Sequence, residues 1–444
     1  MKKAIINAKI YDFATFLDNG FVIFDHVINQ VGAMENFVDE GYEIIDARGA
    51  LLMPGLVCGH THIYSKFARG LSLPFNPKNF QEILDQMWWK LDRHIDNETS
   101  YYSGIVAAAD FLRDGVTTII DHHASGKEIA GSLASLKKAV CDEASVRALF
   151  AFEVSDRFDV NQAIQENVAF IKNFKTPFTA GLFGLHASMS LSEASLEKVR
   201  ANLNGAPIHI HVAESEMDEE DAESKYHERV VERLDRHGLI NEDSLLIHCV
   251  HVNEHELDII KKRKAAIVVN VTSNMNNAVG LPDINKFRDK GIPVMIGNDG
   301  LSSGAANEYI NLLYGMHLLY KKPTAFGLGE LLEMINSGYD YVSRRLGVKL
   351  GRIESGYEAD LLLVPYTAST AMDQSNALGH IFFGMMHAFK PSDVFIAGEQ
   401  LVKNYELTNK KIVMEYERSQ AVADQLWQRI KGEKRWIYRQ SLMD

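Results

Sequence analysis

Two rhythms of apolar and polar positions divide the chain. Near its ends, short apolar runs broken by turn residues predict β-strands over 4–10, 20–24, 27–31 and 43–50, and again over 360–364, 394–397 and 400–402. Gly351, Gly356 and Gly398 punctuate the later set. Strand-rich segments at both ends predict one small β domain, a β-sandwich assembled from residues 1–53 and 351–405. The middle follows another rule. From residue 51 to about residue 347, eight apolar, β-branched runs alternate with stretches of helical period. The runs cover 51–58, 116–121, 147–154, 178–185, 207–212, 245–249, 265–272 and 292–297. Residues 133–144, 224–237 and 254–262 carry polar side chains on one helical face and apolar ones on the other. Eight parallel strands interleaved with helices predict an α/β fold, a TIM-like (β/α)8 barrel over residues 54–350. The alternative, an open doubly wound sheet, predicts a glycine-rich turn after its first strand. The first run leads instead into Gly59-His60-Thr61-His62. Residues 406–444 are expected to form a helical extension, in which 416–438, with Trp427 and Trp436, predicts an amphipathic helix packed on the body or on a partner subunit.

Composition narrows the function without naming it. The 444 residues, 46% apolar and 24% charged, suit an ordinary globular protein of two or three domains. Lys and Arg number 46 against 59 Asp and Glu, a net charge of −13, which opposes binding to a phosphate backbone and excludes nucleic acid as the expected partner. Cys58, Cys141 and Cys249 cannot all pair, which points to a reducing compartment. The apolar run after Met-Lys-Lys is too short for a secretory signal, and nothing approaches the ~18 apolar residues of a membrane span. A cytoplasmic, soluble protein with no membrane partner is expected.

Ionisable residues collect at the carboxyl ends of the predicted strands, where a barrel gathers its active site. His60 and His62, one residue apart, point to one face; they could share a metal ion or be two polar loop histidines. In His209-Ile210-His211, His211 falls at the strand end and is the better ligand, while His209 sits one layer deeper as a hydrogen-bonded core histidine. Glu214, three residues on, overhangs the same mouth, where a proton shuttle beside a metal site is needed. His248 and Asp299 each terminate an apolar strand, where burial without a partner is costly. Histidines and an aspartate from four strand ends make a credible divalent site with a position left for water.

With those residues in view, the chain resembles the amidohydrolase superfamily in its cytosine-deaminase and triazine-hydrolase branch. The resemblance rests on Pro54-Gly55-Leu56-Val57-Cys58-Gly59-His60-Thr61-His62, His211-Val212-Ala213-Glu214, His248-Cys249-Val250-His251 and Gly297-Asn298-Asp299-Gly300, in that order. Gly356-Tyr357-Glu358-Ala359-Asp360-Leu361 is similar to the segment where that family's β domain resumes, and residues 58–70 are most similar to the SsnA-type aminohydrolases. The resemblance implies that His60, His62, His211 and Asp299 hold one divalent metal, Zn2+ or alternatively Fe2+. It further implies that Glu214, His248 and Asp299 act on water and substrate, and that His186 helps to bind substrate. Relatives with two metals bridge them by a modified lysine at the end of strand four; here Lys172 and Lys175 precede that strand, and one metal is expected.

The implied activity is hydrolysis of carbon–nitrogen bonds in cyclic amidines, releasing ammonia from a purine, pyrimidine or related ring. A chlorohydrolase or ring-opening amidohydrolase would use the same activated water, and a third reading makes the chain a non-catalytic subunit of a catabolic assembly. The partner expected is a small heterocyclic substrate, together with further copies of the chain as a homo-oligomer. His122 and His123 close the second strand and could contact the ring or serve structure. Residues 273–277 are expected to shape the rim, and Trp88 and Trp89 to form the buried face of a helix in preference to a lid. His227, His237, His255, His317, His380 and His387 are expected on the surface or in packing.

Overall fold

The computed structural model describes residues 2–440, and beyond residue 432 the backbone alone. It is a mixed α/β fold. Parallel strands lie in two arcs. One arc orders β1 (Leu56–Thr61), β2 (Val116–His123), β3 (Arg147–Phe152) and the first half of β4 (Thr179–Gly181). The other orders the second half of β4 (Phe183–Ala187), β5 (Ile208–Val212), β6 (Leu245–His248), β7 (Ala266–Val269) and β8 (Val294–Ile296). Parallel bridges join the arcs at both seams, Val154 with Leu185 and Thr61 with Asp299. Every residue of these strands is buried, which is why each reads as an unbroken apolar run and not as an alternation.

Three expected elements differ. The first run is two strands: Leu51–Pro54 belongs to the sheet built from the chain ends, and β1 to the arc. The chain changes sheet at Gly55, whose N–H reaches Asp360 O at 2.9 Å while that of Leu56 reaches Gly115 O at 2.9 Å. A Cβ on Gly55 would stand 2.2 Å from Thr117 Oγ1, so glycine alone allows the crossing. The stretch 224–237 is not one helix. Glu216–Tyr226 ends where His227 turns left-handed at φ 60°, and Val230–Arg236 starts afresh with Glu232 accepting from Arg229 N–H at 2.9 Å. The seventh run ends as a strand at Val269 and continues as the helix Val271–Asn277, which brings its polar side chains over the strand ends.

The two chain ends meet in one nine-stranded sheet. Leu51–Pro54 pairs antiparallel with Leu361–Val364 and parallel with Lys3–Tyr11. Alternation divides Leu361–Val364 between two cores: Leu361 and Leu363 pack with Ile5, Val22 and Phe395, whereas Leu362 and Val364 join the main core. A buried guanidinium ties this sheet to the arcs. Arg147, first residue of β3, donates to both oxygens of Asp360 (2.8 and 3.0 Å) and to Glu358 (2.7 Å). The helix Lys410–Gln440 lies on Asn97–Arg113, where Leu426 and Ile430 pack with Leu91 and Ile95 and Trp427 Nε1 donates to Phe67 O at 2.7 Å. The side chain of Trp436 and residues 441–444 lie outside the described residues. No described helix is long and apolar enough to cross a membrane.

Candidate metal centre and substrate cavity

The carboxyl ends of the arcs carry unusual backbone. Ala213, His248, Cys249 and Asp299 have φ of 46°, 72°, 50° and 55°, left-handed conformations that cost side-chain-bearing residues energy and collect at functional sites. They turn the chain sharply just past β5, β6 and β8, and so aim the last side chains inward.

Hydrogen bonding fixes the tautomers of the histidines gathered there. His62 Nδ1 lies 2.7 Å from the carbonyl of His122, and His211 Nδ1 lies 2.9 Å from that of His186. A carbonyl only accepts, so each Nδ1 carries a hydrogen, and in the neutral ring each Nε2 presents a lone pair. Those two Nε2 atoms face each other at 3.2 Å. Asp299 Oδ1 stands 3.0 Å from His62 Nε2 and 3.5 Å from His60 Nε2, and His60 Nε2 is buried with no hydrogen-bond partner. Acceptors converging this closely in a buried place repel one another unless a cation lies between them. His60, His62, His211 and Asp299 therefore fit a divalent ion.

The electrostatics agree. Burial lowers His60 to about 3 and holds His122, His209 and His211 well below the usual imidazole range. At His62 burial also opposes the charged form, but Asp299 outweighs it and the value rises to about 9. Burial likewise favours the neutral acid at Asp299, yet the contacts with His60 and His62 hold it well below the carboxylate range. The cluster calls for one centre of positive charge.

His248 is chemically distinct from those three. Asn274 Nδ2 donates to its Nδ1 at 2.9 Å, so the hydrogen of His248 is on Nε2, and this N–H points toward Glu214 Oε2 at 3.5 Å. It is a donor where His62 and His211 are acceptors. Glu214 lines the cavity and takes an amide N–H from Asn277 on Oε1 at 3.1 Å. Burial raises it above the usual carboxylate range, Asp299 adds to the effect, and His248 opposes it. His186 lines the cavity with Nδ1 2.7 Å from Ser190 Oγ, and burial keeps its ring neutral. His209 sits a layer below, its Nε2 2.9 Å from His60 Nδ1.

For two histidines the sequence left both ring contact and a structural role open. His122 and His123 are fully buried and do not line the cavity. The ring of His122 stacks 4.7 Å from His209 beneath the cluster, and His123 Nε2 meets Ser100 Oγ at 3.1 Å. Both are the last residues of β2, and these contacts suit a structural role. Trp88 and Trp89 depart from expectation, since both line the cavity. A π-helical turn, Leu84–Trp88, between the short helices Phe80–Ile83 and Trp89–Asp92 lets consecutive indoles face the mouth. Trp89 lies edge-on to His186 at 6.3 Å, and Arg157 stacks on it at 5.0 Å. None of His227, His237, His255, His317, His380 and His387 lines this cavity.

Sequence reasoning missed several participants. Ser273 Oγ donates to Asp299 Oδ2 at 2.6 Å, and the Asn274 and Asn277 contacts belong to the same helix; the segment drew notice as a rim, but nothing local gave its partners. Asp92 and Glu153 form the far wall, both paired with Arg157, Asp92 at 2.8 Å. Burial pushes Glu153 up to about 7. Its place just after β3 was the available signal: an ionisable residue at a strand end.

Comparison with known proteins follows the same outline. The model of the amidohydrolase family matches residues 51–401. The 5'-deoxyadenosine deaminase of Methanopyrus kandleri is 28% identical over 426 residues, 92% of this chain and 94% of its own. The 5-methylthioadenosine/S-adenosylhomocysteine deaminase of Syntrophomonas wolfei is 27% identical over 88% of this chain and 91% of its own. Among solved structures, an adenosine deaminase from Xanthomonas campestris with bound zinc superposes with a TM-score of 0.81 at 23% identity, covering 97% of this chain and 98% of its own. Atrazine chlorohydrolase from Arthrobacter aurescens gives 0.77 at 19% identity, covering 94% and 99%.

Proposed function

The chain belongs to the amidohydrolase family, and on that premise we propose that it is a hydrolytic deaminase of an aminated nitrogen heterocycle, working with one divalent metal ion, zinc in the first instance. The converging lone pairs of His62 and His211 at 3.2 Å, closed by Asp299, carry the proposal. The full-length likeness to deaminases of adenine nucleosides supports the substrate class, and the zinc-bound neighbour supports the metal. In this reading the two arcs are the halves of one (β/α)8 barrel over residues 54–350. The sheet from 1–53 and 351–405, which Glu406–Leu407 continues, is the sandwich-like second domain, and the helix Lys410–Gln440 is an extension from it. The setting is cytoplasmic and the assembly a homo-oligomer, which sedimentation velocity would test.

His60, His62, His211 and Asp299 would hold the ion. When bound, it supplies a Lewis acid and draws the pKa of water toward ~7. Glu214 takes the proton of the attacking water, which its raised affinity for protons suits it to keep until the leaving nitrogen needs it. The His248 N–H donates to the oxygen as it adds to the ring carbon. Glu214 then delivers the proton to the departing amine, ammonia leaves as the ring carbon–nitrogen double bond re-forms, and the hydroxyl proton passes to the ring nitrogen to leave a carbonyl. His186 meets the ring from the side, and Trp88 and Trp89 exclude bulk water above it. Glu214→Gln should leave the metal content of the purified protein unchanged and lower kcat by about 10²–10⁴-fold in an ammonia-release assay over a purine and pyrimidine panel. Full turnover by that variant would refute the assignment.

A further inference from the structure

Lys66 is 4% exposed and, among the described residues, forms no ion pair. It sits in the turn Ile63–Ala68 just after His62, with its ammonium 5.1 Å from the centre of the Phe111 ring. Its donors go to the loop that follows Asp299: to Ser302 O at 2.9 Å and to Ser303 Oγ at 2.8 Å. Asn298 Nδ2 reaches the same Ser302 carbonyl at 2.8 Å, which closes the loop on itself. One residue earlier, Ser65 Oγ lies 2.7 Å from both His62 O and Gly300 O. The loop so held presents Asp299 at one end and the cavity-lining Gly300 and Leu301 in its middle.

Asp110 and Asp114 act on this ammonium only from a distance, without an ion pair, and a buried ammonium so placed is a stability cost that an apolar side chain of the same length would avoid. Burial indeed lowers Lys66 to about 8. Packing on Phe111 does not need the charge; two N–H donors across a gap between loops do. We propose that Lys66 is a positioning residue for the metal: by fastening residues 302 and 303 to the segment after His62, it sets the loop in which Asp299 stands relative to the histidines. Thr61 Oγ1 and His62 N–H already hold the Asp299 carbonyl, at 2.9 and 3.1 Å, so the loop beyond is the part left for Lys66 to order.

This inference rests on the reading of Asp299 as a ligand, and the test separates the two. Zinc affinity by chelator competition, the thermal midpoint in excess chelator, and kcat and KM would be measured for Lys66→Met, Ser303→Ala and Asp299→Asn. Lys66→Met should keep or raise the midpoint while weakening zinc binding about tenfold or more. Ser303→Ala should show a smaller loss of the same kind, and covers the case in which Lys66→Met does not fold. Unchanged zinc affinity in these two variants would overturn the role of Lys66, as would a loss of affinity matched by a fall in the midpoint. Unchanged affinity in Asp299→Asn would instead overturn the ligand assignment itself.

Discussion

A histidine becomes a ligand or a donor through the partner of its other nitrogen. Carbonyls opposite Nδ1 make His62 and His211 acceptors toward the centre, while an amide opposite Nδ1 makes His248 a donor there. The residue types and their strand-end positions were legible in the chain; the partners that set each tautomer come from β2, β4 and the helix Val271–Asn277, and were not. Glu308 shows what burial does to a carboxylate just behind the site, where the charge of Asp299 adds to the rise. Its Oε2 accepts from Thr272 Oγ1 at 2.8 Å, its Oε1 has no partner, and burial raises it to about 7. The folded form binds its proton more tightly than the unfolded chain, so the stability linked to it is complete below pH ~4.5 and is lost as pH rises through about 7. Glu308→Gln removes that loss. Denaturant unfolding should find the variant and the parent close at pH 5, and the variant favoured at pH 8.5 by up to about 3 kcal/mol; equal pH slopes would contradict the account.

Elements carry the site in two ways: strands aim residues into it, and the segment Phe80–Asp92 covers it. Periodicity identified the strands because burial on both faces is written locally as apolar character. It could not reveal the cover, because an indole pair on a helix looks alike whether the face meets a core or a cavity. Gly55 was similarly opaque, since the break between two sheets lies in what its neighbour Thr117 leaves no room for. The cover gives a prediction of its own. Trp88→Ala should raise KM about three- to tenfold, in line with the ~0.5–1.5 kcal/mol of an aromatic contact, and leave zinc content unchanged. Steady-state kinetics with metal analysis on the same preparation would check it; a lost metal would mean that the indole supports the centre and not the substrate.

Across the whole molecule, Arg147 joins the amino-terminal end of β3 to the sheet made by the chain ends. Removing the guanidinium leaves Asp360 and Glu358 charged and uncompensated, which costs about 3–5 kcal/mol for a buried pair. Arg147→Leu should therefore lower the thermal midpoint by several degrees, while the zinc affinity of the folded protein stays that of the parent. Both ends of the chain were recognisable as strand-rich, and eight apolar runs announced the parallel arcs, because secondary structure and burial leave periodic marks in any short window. His60, His62, His211, Glu214, His248 and Asp299 could be picked out for the same local reason, each standing where an apolar run stops. Tertiary structure alone decided which loops meet: Lys66 with Ser302 and Ser303, Arg157 with Asp92, Ser273 with Asp299, and the indoles over the mouth. Those contacts join residues far apart in the chain through irregular backbone, whose path has no period to read.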